Sequence, residues 1–386
     1  MPDRNLSRRI LVFGTSFGGG NWPPLAAVAV GLHEAGDTVL CFGDSSIAAE
    51  VGLAGIPINV VPAEASLGSF ASEWRAAGEK GLSPFRAWAD ACMPAVRKLV
   101  SDFRPQILVS EIFTSALGHL GKAACGLRWC CINPGYYFGP DAMRSPEEDY
   151  VRRSRYFRQE FGQAMSDADL VLHATDERFD PPPPSLPQHH HYVGPLWLEL
   201  SSKAPQYLDE PGPPWVLVTV SSNPQAEEMT LIRTALQALA AHPVRVLLTL
   251  SEMHPSEQIG PVPPNARIER FVSHAAVLTR CCLLVSHAGH GIVTKALYYG
   301  VPMVLVPWDR DQPGVAARAA ALGAAEVVKR SDLTEARLSL AIDRVLENPC
   351  YRENAGTMAN RLQAQDAVAT ARIRIDELLK TTETNH

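Results

Sequence analysis

Between Cys281 and Arg318 the sequence sets His287, Gly289 and Gly291 directly behind an apolar run that ends at Ser286. A helical pattern begins just after them, near Ile292. Glycines lack a Cβ, so their backbone N–H groups can approach a ligand closely. A helix N-terminus adds unpaired donors and partial positive charge. Together these make a cradle for an anion such as a phosphate or diphosphate. A second apolar run, Met303–Pro307, leads to Trp308-Asp309-Arg310-Asp311-Gln312, where carboxylate and amide groups can hydrogen-bond sugar hydroxyls.

Other chemistry-bearing patterns compete less well. Gly14-Thr15-Ser16-Phe17-Gly18 spells G-x-S-x-G behind a strand-like run, the pattern of a nucleophile elbow. It follows the first strand rather than a later one, and Gly18–Gly20 with Pro23–Pro24 suit an acceptor loop better than an immediate helix. The same stretch lacks the second glycine of G-x-G-x-x-G, which argues against a nicotinamide site. Asp167–Asp169 and Asp309–Asp311 both read D-x-D, a match near chance in 386 residues. The eight cysteines form no C-x-x-C pair and are expected to be buried free thiols. His189–His191 follows the run Pro181–Pro184 and reads as a surface loop, with metal binding the lesser alternative. No metal and no cofactor are expected.

Short apolar runs alternating with helical patterns must position these residues. Strands are predicted at Ile10–Phe13, Thr38–Phe42 and Ile107–Ser110, with helices over Pro24–Glu34 and Ala95–Phe103. Alternation restarts with strands at Trp215–Val220, Arg245–Leu250, Ile268–Phe271, Cys281–Ser286 and Met303–Pro307. Helices are predicted over Glu227–Ala241, Ala275–Thr279, Ile292–Tyr299, Val315–Leu322, Asp332–Leu346 and Tyr351–Leu379. This order implies two doubly wound α/β halves, which bind ligands at the carboxyl ends of their strands. The expected organisation is a first domain over 1–200, a Pro/Gly-rich linker over 201–214 and a second domain over 215–365. A last helix over 366–386 would be able to cross back to the first domain, and Tyr136–Arg158 reads as an insertion or lid.

Length and composition set the frame. A chain of 386 residues that is 46% hydrophobic fits two cores and excludes long disorder. A formal charge of −6 argues against a nucleic-acid binder that relies on a basic surface. The polar stretch Met1–Arg9 is not a signal peptide, and no apolar run approaches the ~20 residues that span a bilayer. The expectation is a cytoplasmic protein, monomer or homodimer, without an integral membrane segment.

The segment from Cys281 to Arg318 closely resembles the donor-site signature of the UDP-glycosyltransferase-like family, inverting enzymes of GT-B fold with two Rossmann-like domains facing a cleft. The family pattern is H-x-G-x-G-T, a helix, a strand V-P-x-x-x-x-P and then D-Q. Arg270-Phe271-Val272-Ser273-His274 is similar to the strand end that stacks on the base, and Thr219, Ser221 and Ser222 to the loop near the diphosphate. Gly194-Pro195-Leu196 is similar to the segment entering the linker, and Gly20 to Leu25 to the G-H-x-x-P-L loop. The resemblance implies that His287 and the Gly289, His290 and Gly291 region hold phosphates, that Phe271 and Val272 face the base, and that Asp311 and Gln312 hold the sugar.

Four departures stand out. Asn21 falls where the family carries its catalytic His, and an amide cannot take a proton at neutral pH. Glu111 falls where the acidic partner of that His sits; it is either the base itself, if burial raises its pKa, or an ionised structural carboxylate. His119 is a further candidate, and an acceptor already ionised would need little help. Lys295 stands where many relatives put a Glu on the ribose, which leaves dTDP donors open beside UDP. Ile292 replaces the usual Thr or Ser, and Val315 a common Asn. Trp22, Trp74, Phe85, Trp88, Phe113, Tyr136, Tyr137 and Phe138 offer aromatic surface for a planar or lipophilic acceptor. The implied activity is inverting, metal-independent sugar transfer from a nucleotide-sugar donor to a small-molecule acceptor. The alternatives are a donor-binding helper subunit that has lost transfer, motivated by Asn21, and a nucleotide-sugar epimerase of the same fold.

Overall fold

Two all-parallel sheets carry the chain. The first holds β1 (Arg9–Gly14), β2 (Thr38–Asp44), β3 (Ile58–Val61), β4 (Ile107–Glu111), β5 (Arg128–Asn133), β6 (Leu170–His173) and β7 (His190–Tyr192), in the order β3-β2-β1-β4-β5-β6-β7. The second holds β8 (Trp215–Thr219), β9 (Arg245–Thr249), β10 (Ala266–Glu269), β11 (Cys281–Ser286), β12 (Met303–Leu305) and β13 (Ala325–Val327), in the order β10-β9-β8-β11-β12-β13. This computed structural model describes residues 7–17, 19–76, 83–137, 161–198, 204–222, 225, 227–270 and 272–380. Phe271, Phe138 and most of the Tyr136–Arg158 segment lie outside them, as does the side chain of Trp74.

The predicted pair of doubly wound α/β halves is what forms. Continuous apolar strands such as Ile10-Leu11-Val12-Phe13 and Leu283-Leu284-Val285 are buried on both faces, as strands covered by helices on each side must be. Odd and even positions feed separate cores, Ile10 and Val12 one and Leu11 and Phe13 the other. Chain direction across each sheet reverses between β1 and β4 and between β8 and β11. Each reversal opens a crevice at the strand ends.

Several elements differ from expectation. Helix Trp22–Glu34 starts two residues early, because Pro23 and Pro24 occupy its first turn, where the absent N–H is not needed. The helix before β4 spans Pro84–Phe103 and runs through Pro94 rather than starting at Ala95. The predicted single helix Tyr351–Leu379 is two, Pro349–Gln363 and Ala367–Lys380. Asp366 accepts from the Ala369 N–H at 2.8 Å and restarts the second. That second helix packs Ala367, Ala371 and Ile375 into the core of the first half, beside Leu25, Val28 and Leu32. Gly31 lets the two helices touch: a Cβ there would lie 2.1 Å from Val368 Cγ1. Five of the cysteines are buried, but Cys350 is exposed.

The His189–His191 surface loop is a correction. His190 and His191 sit in β7, paired with Val171 and Leu172 of β6, and His190 is buried. Burial is tolerated because a chain of hydrogen bonds satisfies every ring nitrogen. Asn133 Nδ2 contacts His173 Nδ1 at 2.9 Å, His173 Nε2 contacts His190 Nδ1 at 3.0 Å, and His190 Nε2 contacts the Met165 carbonyl at 2.7 Å. With an amide donor at one end and a carbonyl at the other, both imidazoles must be neutral with the proton on Nε2. Burial accordingly holds His173 well below its usual range and lowers His190 to about 4. No group of three or more His, Cys, Asp or Glu among the described residues is placed to hold a metal ion. No helix among them is long and apolar enough to cross a membrane.

The loop Thr175–Asp180 after β6 links the halves. Asp180 and Arg318 form a buried ion pair at 2.9 Å, and Asp180 Oδ2 also accepts from the Tyr137 N–H at 2.7 Å and the Tyr192 hydroxyl at 2.9 Å. Asp176 accepts from Arg361 at 2.7 Å and Gln365 at 2.5 Å. Burial raises the Asp176 carboxyl, but these donors outweigh it and hold the group below its usual range.

Candidate active site

On the second half, β11 ends at Ser286 beside Thr219 of β8, so the loops after both strands open at the crevice. Gly289 is the N-cap of helix His290–Tyr298. The His287 ring lies against Gly289, where a Cβ would come 2.5 Å from Nε2. Nothing lies within 4 Å of a Cβ built on Gly291, so the helix start faces open space. Burial lowers His287 to about 4; the Thr219 backbone opposes this and the Arg310 charge adds to it. The imidazole is therefore neutral at pH 7, and its buried Nδ1 has no hydrogen-bond partner among the described residues. Beneath it, Thr249 Oγ1 bonds Thr219 Oγ1 at 2.8 Å and His274 Nε2 at 3.0 Å.

The loop after β12 joins this site, with Asp311 half-buried at the start of helix Gln312–Ala321. Burial raises its carboxyl, opposed by its own N–H and by Arg310. Gln312 is buried, and its side-chain carbonyl accepts from the Trp308 N–H at 2.8 Å and the Asp309 N–H at 3.1 Å. It braces the loop that presents Asp309 to Asp311. Ser221 and Ser222 follow β8. Ser222 is exposed, whereas the Ser221 N–H donates to buried Glu228 at 2.7 Å. Glu228 and Arg310 are site residues that sequence reasoning missed: the first shapes the Ser221 loop, and the second places its charge near His287, Asp311 and Glu228. Arg310 stood inside the quoted motif, but its left-handed φ of 63°, which fixes the loop, has no signal in composition.

One donor-side expectation needs correction. His290 turns away from the cradle, its Nε2 reaching Thr175 Oγ1 at 3.4 Å and its ring packing on Phe179 at 5.8 Å. Lys295 sits over the Trp197 ring at 5.7 Å. Val272 is half-buried, packed on the second core.

On the first half, the two expected catalytic residues separate in character. Asn21 is the half-buried N-cap of helix Trp22–Glu34 and makes no capping bond with its side chain. Glu111 ends β4 fully buried, its two oxygens accepting from the Phe113 N–H at 2.7 Å and the Thr114 N–H at 3.0 Å. Burial pushes it up to about 8 against these bonds. Each oxygen accepts one backbone N–H of the turn Ile112–Thr114, so Glu111 caps that turn from a fully buried position. His119 pairs with Asp167 at 3.3 Å.

The aromatic set also divides. Trp22, Phe85, Trp88, Tyr136 and Tyr137 are buried, which corrects their assignment to an acceptor surface. Trp22 Nε1 bonds Glu50 at 2.6 Å, Trp88 Nε1 bonds the Ala65 carbonyl at 3.0 Å, and Arg318 lies over the Tyr136 ring at 3.9 Å. Each indole found a partner and so could be core. Phe113 remains half-buried, stacked on Phe85 at 5.2 Å and edge-on to Phe17 at 5.8 Å. The loop after β1 faces the donor side directly: Gly19, with φ of 70°, would place a Cβ 2.2 Å from Ser222 Oγ.

Two switch-point crevices thus meet where Gly19 abuts Ser222, one with an open helix start and one with aromatic rings. The calicheamicin glycosyltransferase CalG4 has this same architecture, with TM-score 0.76 at 19% identity over 97% of this chain and 98% of that one. The fold is GT-B. The glycosyltransferase VinC, solved in complex with dTDP, also matches, with TM-score 0.70 and 19% identity over 97% of this chain and all of that one. Residues 233–374 match the family model of the erythromycin biosynthesis protein CIII-like, C-terminal domain. Among curated proteins, 4'-demethylrebeccamycin synthase of Lentzea aerocolonigenes is 33% identical over 231 residues, 58% of this chain and 53% of the relative. The alignment spans about half the length of that relative, and 55% of an uncharacterized UDP-glucosyltransferase of Bacillus subtilis.

Proposed function

We propose that the chain transfers a sugar from a nucleotide diphosphate sugar to a small, planar or lipophilic acceptor, with inversion at the anomeric carbon. The observation that carries this is the open helix start at Gly289–Gly291 beside the buried, unpartnered Nδ1 of His287. A leaving diphosphate gains charge as the glycosidic bond breaks, and preorganised N–H donors at a helix terminus stabilise it without rearrangement. His287 contributes a neutral hydrogen bond there, while Arg310 supplies charge. Asp311 accepts from the sugar hydroxyls in this reading, and Gln312 holds its loop. The acceptor lies on the Phe17 and Phe113 rings and attacks from the face opposite the diphosphate, with proximity providing much of the acceleration. Lys295 offers no carboxylate to the ribose hydroxyls, which favours the deoxyribose of dTDP over UDP. The VinC complex with dTDP supports the same choice.

The test is thermal shift with UDP and dTDP, followed by transfer from UDP-glucose and dTDP-glucose to phenolic acceptors. We expect dTDP to raise Tm more than UDP and His287→Ala to abolish the shift. A protein whose Tm neither nucleotide moves, and which transfers from neither donor, would sink the reading.

A further inference from the structure

The proposed transfer leaves a proton to be removed from the acceptor; the Asn21 amide cannot take it, and Glu111 is fully buried behind the turn that it caps. The G-x-S-x-G stretch, which the donor site does not use, holds the alternative. β1 and β2 pair in register, with Gly14 opposite Gly43, so Thr15 and Ser16 emerge beside Asp44 and Ser46. Ser16 Oγ donates to Ser46 Oγ at 2.5 Å, and Ser46 Oγ donates in turn to Asp44 Oδ1. The Ser46 N–H also reaches Oδ1 at 3.2 Å, and buried Thr15 donates its hydroxyl to Oδ2 at 2.5 Å. Every donor points at the carboxylate. Ser16 therefore presents only acceptor lone pairs outward. Its carbonyl closes a turn with the Gly19 N–H at 2.8 Å, and Gly19 abuts Ser222 of the donor side. Asp44 is buried, Ser16 half-buried, and Ser46 exposed.

We propose that Ser16, Ser46 and Asp44 form a proton relay in which Ser16 receives the acceptor's hydroxyl proton and Asp44 stores it. This rests on the glycosyltransferase reading above. As the acceptor oxygen bonds the anomeric carbon, the bond from that carbon to the diphosphate oxygen breaks and the diphosphate leaves with the electron pair. The acceptor proton passes to Ser16 Oγ, the Ser16 proton to Ser46 Oγ, and the Ser46 proton to Asp44 Oδ1. Asp44 later releases it to water. Ser16 is the group that touches substrate; Ser46 and Asp44 act through it.

The relay predicts a dependence on acceptor acidity that a merely structural loop would not show. 4-Nitrophenol is largely ionised at pH 8 and needs no base, whereas phenol, near the tyrosine pKa of about 10, does. With dTDP-glucose or UDP-glucose as donor, Asp44→Asn and Ser16→Ala are expected to slow transfer to phenol at pH 8 about 100-fold, the low end for general-base catalysis. Transfer to 4-nitrophenol should change less than about threefold, and nucleotide-induced Tm shifts should stay as in the parent. Ser16→Thr and Ser46→Thr, which keep a hydroxyl, should restore most of the phenol rate. In Asp44→Asn the phenol rate should instead climb with pH as the acceptor ionises. If both acceptors slow equally, or neither slows while the parent transfers, the relay is overturned. A parent that binds nucleotide and transfers to neither acceptor removes the relay together with the transfer reading, while leaving donor binding in place.

Discussion

The two strand-end crevices solve opposite problems. On the donor side the key groups are backbone N–H donors at a helix start, held open by glycine, with His287 dry and neutral behind them. On the acceptor side the expected side chains were drawn inward: Glu111 caps a turn and Trp22 fills the core. Backbone chemistry is local, and a glycine before a helix does the same thing wherever the fold puts it. Side-chain chemistry depends on what packs over it. The lesson is that a glycine-flanked helix start can be read from a dozen consecutive residues, whereas a surface of side chains is assembled from segments far apart.

The largest test of this contrast removes what sets the sides opposite each other. Arg318→Met leaves Asp180 buried with only two neutral donors, and should cost about 3–5 kcal/mol in urea unfolding. A loss under 1 kcal/mol would show that the halves are held by something else. Next, Gly289→Ala forces a Cβ into the His287 ring. Nucleotide affinity by calorimetry is expected to fall about 100-fold, the loss of one or two charge-assisted hydrogen bonds. Unchanged affinity would break the donor-side account.

A third test uses pH. His190, His287 and His290 are each lowered by burial from 6.5 to about 4, so between those values the unfolded chain binds protons that the folded one refuses. Their contribution to stability is present above pH 6.5, declines as the pH falls toward 4, and changes no further below it. Equal unfolding free energies at pH 7 and pH 5 would contradict neutral imidazoles on both sides. Fourth, the aromatic split should appear in kinetics. Phe113→Leu is expected to raise acceptor KM several-fold with little change in Tm, whereas Trp22→Phe should lower Tm and leave acceptor KM alone. The smallest effect sharpens rather than breaks the contrast. Gly291→Ala meets no atom within 4 Å and should keep stability within about 0.5 kcal/mol. A drop in nucleotide affinity in that variant reports a ligand at the helix start.

Legibility in the sequence followed the same line. Strands β1, β2, β4 and β8 to β12 and the His287–Gly291 loop were readable because apolar runs and glycine placement act over a few residues, whereas β3, β5, β6, β7 and β13 were not picked out. Trp22, Trp88, Tyr136 and Tyr137 misled because an indole or phenol looks the same facing a cleft or a core. What decided it was Glu50, Ala65, Asp180 and Arg318, remote in sequence. His190 misled because only pairing with β6 reveals that its ring nitrogens are satisfied. Asp44 was invisible as a partner of Ser16 until the register of β1 on β2 put them side by side.

Helix Ala367–Lys380, which lays Ala371 and Ile375 into the core of the first half, has a consequence for biosynthesis. Residues 9–192 leave the ribosome first and can pair their seven strands, yet one face of that sheet lacks its outer wall until residues 367–380 emerge. The second half must therefore be made, and can fold, while an apolar surface of the first stays uncovered. Such surfaces are where nascent chains attract chaperones and associate wrongly. Truncation just after Gln363 would trap the chain in that state, and more of it should be recovered with holdases or in the pellet than of the full chain.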